Sequence, residues 1–295
     1  MTAETSKPHP ASSLLWMAVA QLLFAMMAIA ARFGGRNLPW QEVAATRFAV
    51  GALTVYAVAR ARGQSLRITR RRDAWLRSAF GTLSAAGTFY IYASPALPMG
   101  DAVTLLSTSP IFVALLSAPL LGERVRPSVL VSLSLGFCGI VLVAQPSFRA
   151  AGHLVAAGTG AALASAFAMI WLRRIGPSES SEAIVFHLMS VGFAVMLVAS
   201  LPVWRAPTAR DAFWLGLMGL TGGLAQIAMT RAYALDSAAR VSVMGFSSVA
   251  IMRLLAVPVF GEVPSLAQTT GSLLVIAAGG FLGSASLRGG KLWAW

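Results

Sequence analysis

Apolar residues dominate the chain in ten long stretches, which short polar segments separate. Each stretch is close to the roughly 20 residues that a helix needs to cross a hydrocarbon core about 30 Å thick. The longest connection, residues 60–73, leaves no room for a folded domain outside the membrane. The pattern predicts an all-α membrane protein with ten transmembrane helices. The predicted helices are residues 12–33, 41–59, 74–94, 101–121, 128–145, 153–172, 182–204, 212–234, 238–260 and 265–287.

Composition supports this interpretation. Hydrophobic residues make up 57% of the chain and charged residues 11%, whereas soluble domains average roughly 45–50% and about 25%. The mean hydropathy is +0.73. A single cysteine excludes an intramolecular disulfide and a cysteine metal cluster. No cofactor is expected.

The net charge of +13 would also fit a nucleic-acid-binding protein. With a cytoplasmic N-terminus, however, 16 of the 23 lysines and arginines fall on the cytoplasmic side. They include Arg67, Arg70, Arg71, Arg72 and Arg77. Five fall on the other side, and Arg47 and Arg253 lie inside helices. Basic loops face the cytoplasm and anionic headgroups. We therefore predict the bacterial inner membrane, cytoplasmic tails at 1–11 and 288–295, the lipid bilayer as a partner, and no nucleic acid.

The chain contains an internal repeat. The segment SPIFVALLSAPLLGE, ending at Glu123, returns as SSVAIMRLLAVPVFGE, ending at Glu262, and a shift of 139 residues aligns Gly122 with Gly261. Two halves are predicted, residues 12–146 and 153–287. Because each half has five helices, an odd number, the second half enters the membrane in the opposite orientation. Inverted repeats place a substrate site between the halves near the midplane, which favours transport over catalysis.

These features resemble the EamA type of the drug/metabolite transporter superfamily. The resemblance rests on ATRFAVGAL around Arg47, on PLLGE and PVFGE after the fourth helix of each half, and on the glycine-rich fifth helices. It implies movement of small organic metabolites, often outward. Branches of the family export amino acids, including aromatic ones, and the chain looks similar to the YddG kind. One departure is His187, which stands where the second half should repeat Arg47.

Three residues could carry charge within the membrane. Arg47 and Arg253 are costly there and normally face the protein interior. Each is interpreted either as a structural lock or as the partner of a substrate carboxylate. His187 is interpreted mainly as a satisfied polar residue, with a proton relay as the alternative.

Other candidates line the predicted route or pack within it. Pro110 is predicted to lie mid-helix and to form a hinge. Gly122 is predicted to end its helix in the left-handed conformation and Glu123 to cap the next helix, with a gating salt bridge as the alternative. Gly219-x-x-x-Gly223 permits a close helix contact. The remaining candidates for substrate contact, for each of which packing is the alternative, are Tyr90, Ser107, Thr108, Ser109, Trp171, Gln226, Ser247 and Ser248.

The sequence therefore predicts a transporter that exports small metabolites by alternating access, with amino acids as the first candidate and without ion coupling. Export of another metabolite or drug, such as a nucleobase or vitamin and with proton coupling, is the alternative. An intramembrane enzyme or assembly factor is a remote one, since no catalytic set of residues is apparent. Gly279-x-x-x-Gly283 would pack within the chain or form a dimer face, so a monomer or weak homodimer is expected.

Overall fold

The computed structural model describes residues 10–35, 38–94, 96–97, 99–147, 152–251 and 265–288, and nearly all of them are helical. Arg253, Gly261 and Glu262 lie outside these ranges. The helices are α1 Pro10–Gly34, α2 Trp40–Ala61, α3 Arg71–Ala93, α4 Met99–Leu106, α5 Ser109–Leu121, α6 Pro127–Ala144, α7 Gly152–Ile175, α8 Ser181–Ser200, α9 Ala209–Leu235, α10 Ala238–Val243 and α11 Leu266–Arg288.

Within the described ranges, seven helical segments are long and apolar enough to cross a membrane. They are α1, α2, the α4–α5 segment Met99–Leu121, α6, α7, α8 with its short extension to Val203, and α9. The helix α3 is not among them, because Arg77 and its many serine, threonine, glycine and tyrosine residues make it less apolar. Ala238–Ile251 and Leu266–Leu282 are shorter apolar helices. The protein is an all-α, multi-pass membrane protein.

The fourth predicted helix is interrupted rather than continuous. A turn at Ser107 and Thr108 separates α4 from α5, and the Thr108 hydroxyl donates to the carbonyl oxygen of Leu105 at 2.6 Å. Pro110 stands in the first turn of α5, so its predicted place in the middle of a helix is wrong. Proline has no N–H group for a preceding turn, but a first turn leaves that group unpaired anyway. Its role as a hinge stays a prediction.

Helix packing depends on small residues at the closest approaches. Here α1 packs on α9, α3 on α7, α2 on α8 and α9, and α6 on α11. A β-carbon on Gly223 of α9 would lie 3.1 Å from the carbonyl oxygen of Gly51 on α2, and one on Gly219 would lie 3.3 Å from the Gly51 nitrogen. The predicted close contact at Gly219 and Gly223 is therefore confirmed, with Gly51 as its partner.

Another close approach is the seam between α6 and α11, where Gly139 faces Gly271. A β-carbon on Gly139 would lie 2.6 Å from the carbonyl oxygen of Gly271, and one on Gly271 would lie 2.5 Å from the carbonyl oxygen of Gly139. Val275 and Val143 close the seam on either side. The two backbones are in direct contact and leave no space for a methyl group.

Gly122 ends α5 in the predicted left-handed conformation, with φ 70° and ψ 14°. Replacing Gly122 with alanine is expected to lower the free energy of unfolding by about 1–2 kcal/mol, the cost of a β-carbon in that region. The measurement is thermal or denaturant unfolding of the purified protein in detergent.

Gly160→Ala is the matched control for this change. Gly160 lies inside α7, and a β-carbon added there would meet no atom within 4 Å beyond the neighbouring backbone of its own helix. Alanine should stabilise the helix there by up to about 1 kcal/mol because of its higher helix propensity. Equal shifts in both variants would contradict the conformational argument.

Candidate functional site

Arg47 lies on α2, seven residues after Trp40, and only 7% of its surface is exposed. Its Nε donates to the sulfur of Met27 on α1 at 3.3 Å. The guanidinium also lies over the rings of Phe48 and Phe89, at 5.2 and 5.9 Å from their centroids. Among the described residues, no oxygen accepts a hydrogen bond from Arg47 and no carboxylate lies within 4 Å. The charge is therefore buried, and the described residues supply no counter-ion to it.

A second buried arginine, Arg77, lies on α3 and is 1% exposed. Its Nη2 donates to Oε1 of Gln226 on α9 at 3.3 Å, while its buried Nε has no partner. The described part of the chain supplies no carboxylate to it either. Counting Arg77 among the basic residues of the cytoplasmic surface was wrong, because its side chain turns inward between α3 and α9.

The two guanidinium groups meet the same stretch of α9. A β-carbon on Gly222 would lie 3.6 Å from Nε of Arg47 and 2.9 Å from the sulfur of Met27. Gln226, which bonds Arg77, follows Gly222 by four residues, so the two guanidinium groups contact positions of α9 that are roughly one helical turn, about 5.4 Å, apart. A β-carbon on Gly81 would overlap Nη1 of Arg77, so alanine there would displace the guanidinium.

Two buried hydroxyl groups near this cluster also lack partners. Thr230 follows Gln226 by one turn of α9, and Thr82 is the neighbour of Gly81 on α3. The Oγ1 atoms of both residues are enclosed and make no hydrogen bond. A buried polar atom left unpaired costs free energy. We call the set Arg47, Arg77, Thr82, Gln226 and Thr230 the arginine cluster.

Other arginines with partly buried side chains have acidic partners. Arg173 binds Glu123 at 2.8 Å, Arg231 binds Glu182 at 2.6 Å, and Arg240 lies 3.2 Å from Asp236. Among the described residues, these three cations are paired with carboxylates near helix ends, whereas the two of the arginine cluster have no acidic partner. Since a charge at the centre of a membrane helix costs about 2.5–3.5 kcal/mol on insertion scales, a bound anion is the natural compensation.

Glu123 and Arg173 form a junction at one end of the molecule, which we call the inner junction. Glu123 also accepts from the backbone N–H of Ala238 at 2.8 Å, and Arg173 donates to the carbonyl oxygens of Tyr233 and Ala234 at 3.1 Å each. The prediction that Glu123 caps the next helix is wrong, because its carboxylate reaches the start of α10. The junction ties the ends of α5, α7 and α9 to that start.

Further polar contacts close the same end of the molecule. Glu182 binds Arg231 and also lies 3.6 Å from Arg62. Oε1 of Glu179 accepts from the backbone N–H groups of Thr69 and Arg70 at 2.8 Å each. This end, where α2 stops and α3 starts, is the one predicted to face the cytoplasm.

The opposite end has weaker polar closure. Glu42 is fully buried, but only Oε2 is bonded, to the backbone N–H of Arg205 at 3.0 Å, while Oε1 has no partner. A depression of about 870 Å³ opens beside it. The depression is lined by Leu38, Pro39, Trp40, Gln41, Pro202, Val203, Trp204 and Arg205.

Most other predicted contacts lie away from the arginine cluster. Tyr90 is 41% exposed and meets Trp40 edge to face, thirteen residues along α3 from Arg77. Trp171 stacks with Arg174 near the end of α7. The hydroxyl groups of Thr108, Ser247 and Ser248 each donate to the carbonyl oxygen three residues earlier. Ser107 and Ser109 are half-buried around the α4–α5 turn.

His187 has a hydrogen-bond partner. Its Nδ1 lies 2.8 Å from the hydroxyl of Ser78, and its ring meets that of Trp75 at 4.9 Å. These contacts fit the interpretation of His187 as a satisfied polar residue on the α3–α8 interface. Of the predicted contacts, the structure brings Arg47 and Gln226 to the same stretch of α9, where Arg77, Thr82 and Thr230 join them.

The chain is similar to a known family of transporters and to several of its relatives. The EamA-like transporter family matches residues 11–145 and 152–283. The Pseudopaline exporter CntI of Pseudomonas aeruginosa is 27% identical over 269 residues, which cover 90% of this chain and 94% of that protein. A riboflavin transporter of Vibrio cholerae is 27% identical over 285 residues, 94% of each chain.

More distant proteins agree with this assignment. Human solute carrier family 35 member G1 is 24% identical over 219 residues, 69% of this chain and 60% of that protein. A solved crystal structure superposes with a TM-score of 0.80 at 21% identity, covering 96% of this chain and 99% of the other, which shows a shared fold. With both matched segments together spanning nearly all of its length, the chain belongs to the EamA-like transporter family.

Proposed function

We propose that this protein is an inner-membrane transporter that exports small metabolites bearing a carboxylate, with amino acids as the first candidate class. The observation that carries the proposal is the buried guanidinium of Arg47, for which the described residues supply no carboxylate or other oxygen partner. A guanidinium presents parallel N–H donors that match a carboxylate in a bidentate pair. The substrate would supply the counter-charge that the described residues do not.

We further propose alternating access between two inverted halves, residues 12–146 and 153–287, with ten helices and both termini in the cytoplasm. Two kinds of observation support this. If each helix of one half is replaced by its counterpart in the other half, the contact between α1 and α9 becomes the contact between α7 and α3. The contacts between α2 and α8 and between α6 and α11 are unchanged by this replacement. The inner junction joins the two halves by hydrogen bonds and an ion pair, which can break and re-form without exposing apolar surface.

A neutral vitamin is the second candidate substrate. Relatives named as riboflavin transporters align along almost the whole chain. Phe48 and Phe89 also flank the guanidinium of Arg47, and a flat ring system stacks well on such a surface. In this alternative, Arg47 would hold a polar edge of the ring through hydrogen bonds.

Purified protein in liposomes is expected to move radiolabelled amino acids down their own concentration gradient without an imposed ion gradient. Every described carboxylate has a hydrogen-bond or ion-pair partner, and none of them lies within 4 Å of Arg47 or Arg77. None of the described carboxylates is therefore placed to carry a proton with the substrate. Uptake is followed over time in parallel with riboflavin and in protein-free liposomes.

The outcomes separate the hypotheses. Flux that requires a proton or sodium gradient would contradict the absence of coupling. Movement of riboflavin but of no amino acid or other carboxylate would replace the proposed substrate class with the second candidate.

A further inference from the structure

We infer that the substrate carries two anionic groups, and that Arg77, Gln226, Thr82 and Thr230 form the second anionic subsite beside Arg47. The inference rests on the proposed function, because it assigns the second subsite to the same substrate. It narrows the substrate class to small diacids, such as acidic amino acids and dicarboxylates.

The first support is the state of Arg77 itself. Its side chain is 1% exposed, its Nε has no acceptor, and the one acceptor that it binds, Gln226, is neutral. A neutral amide satisfies a donor but leaves the charge uncompensated. In a low-dielectric interior such a charge is retained where another anion is present.

The second support is the neighbouring pair of hydroxyls. Thr82 is buried on α3, which carries Arg77, and Thr230 is buried on α9, which carries Gln226; both hydroxyl oxygens are unpaired. Elsewhere in the described helices, threonines at 54, 88, 104 and 221 bond carbonyl oxygens of their own helix. Hydroxyls that do not make this local bond are available as donors to a ligand oxygen.

The third support is the spacing of the two arginines. Arg47 and Arg77 meet α9 at Gly222 and Gln226, within roughly one helical turn. Two like charges at this separation repel each other, and one carboxylate on Arg47 would neutralise only one of them. A substrate with two carboxylates on a short carbon chain would neutralise both.

The test compares diacids with their mono-amides, which differ in one charge and little in shape. The probes are L-glutamate against L-glutamine, L-aspartate against L-asparagine, and succinate against succinamate. Binding is measured by thermal shift and transport by competition in liposomes. We expect at least one diacid to bind wild-type protein at least tenfold more tightly than its amide.

Two variants assign that preference to the second subsite. Arg77→Gln should lower the affinity for the diacid at least tenfold and should change the affinity for the mono-amide less than threefold. Thr230→Val should lower diacid transport without lowering the unfolding temperature, because the hydroxyl has no partner to lose in the free protein. Arg67→Gln, at an exposed loop position, is the control for removal of a positive charge.

The results distinguish this inference from the proposed function. If mono-carboxylic amino acids are transported but no diacid is preferred, or if Arg77→Gln weakens both classes equally, the second subsite is overturned and the transporter assignment stands. If neither diacids nor mono-acids bind or move, the carboxylate class fails and the subsite fails with it.

Discussion

Replacing Arg47 with glutamine is expected to lower carboxylate transport by about tenfold to a hundredfold while the protein still inserts and folds. The guanidinium has no hydrogen-bonded oxygen among the described residues, so its loss breaks only a contact with the Met27 sulfur and ring contacts. A hydrogen bond to a charged group contributes about 1.5–3 kcal/mol, and each 1.4 kcal/mol is a factor of ten. Initial rates in liposomes measure the loss, and size-exclusion profiles monitor folding.

The same substitution separates the two interpretations of Arg47. A structural lock would lower the unfolding temperature and the amount of folded protein together with transport. A substrate contact would lower transport while leaving the unfolding temperature of the free protein unchanged or higher, since a buried unpaired charge has been removed. Arg67→Gln should change neither quantity, and full transport by Arg47→Gln would remove Arg47 from the substrate site.

Breaking the inner junction with Glu123→Gln or Arg173→Gln is expected to shift the protein toward a state open at that end. Each change removes the ion pair at 2.8 Å, and Arg173→Gln also removes the bonds to the last turn of α9. A loss of about 1.5–3 kcal/mol corresponds to about a tenfold to hundredfold shift in the equilibrium between the two states.

A cysteine at Thr230 reports the shift. Thr230 is fully buried on the α9 segment leading to the inner junction, and Cys138 is exposed, so the reporter is introduced into a Cys138→Ser background. An impermeant thiol reagent, applied to inside-out vesicles, should react about tenfold to a hundredfold faster in the junction variants.

A matched control and a double variant complete the test. Arg174→Gln removes the neighbouring, half-exposed arginine, which lies 3.9 Å from Asp73, and should leave the labelling rate unchanged. The effects of Glu123→Gln and Arg173→Gln should be less than additive when combined, because both remove the same bond. Unchanged labelling in both single variants would show that the junction does not hold this end closed.

Much of the fold follows from properties that act locally along the chain. Apolar length identified the seven described segments that are long enough to cross a membrane, and the αL requirement at Gly122 placed the end of α5. The burial of Arg47 followed from its depth, seven residues inside α2. Such features depend on solvent transfer and backbone sterics, which the residue types themselves determine.

The missed features depend on which helix lies opposite. Arg77 follows a basic cluster and carries the same charge as its neighbours, so nothing local distinguishes a side chain directed at headgroups from one directed at Gln226. A signal was nevertheless present, because Arg77 is inside the predicted third helix. Glu123 was expected to cap the next helix, but its partners are 50 and 115 residues away. Both contacts are set by tertiary packing.

The backbone contact between Gly139 and Gly271 also has a practical consequence for spectroscopy. Because the seam between α6 and α11 has no space to slide or rotate by a side chain's width, the two helices form a fixed reference within the molecule. Spin labels at the ends of these helices therefore provide fixed reference positions. Distances from these reference labels to labels on α1 or α7 would then report the motion of the transport cycle itself.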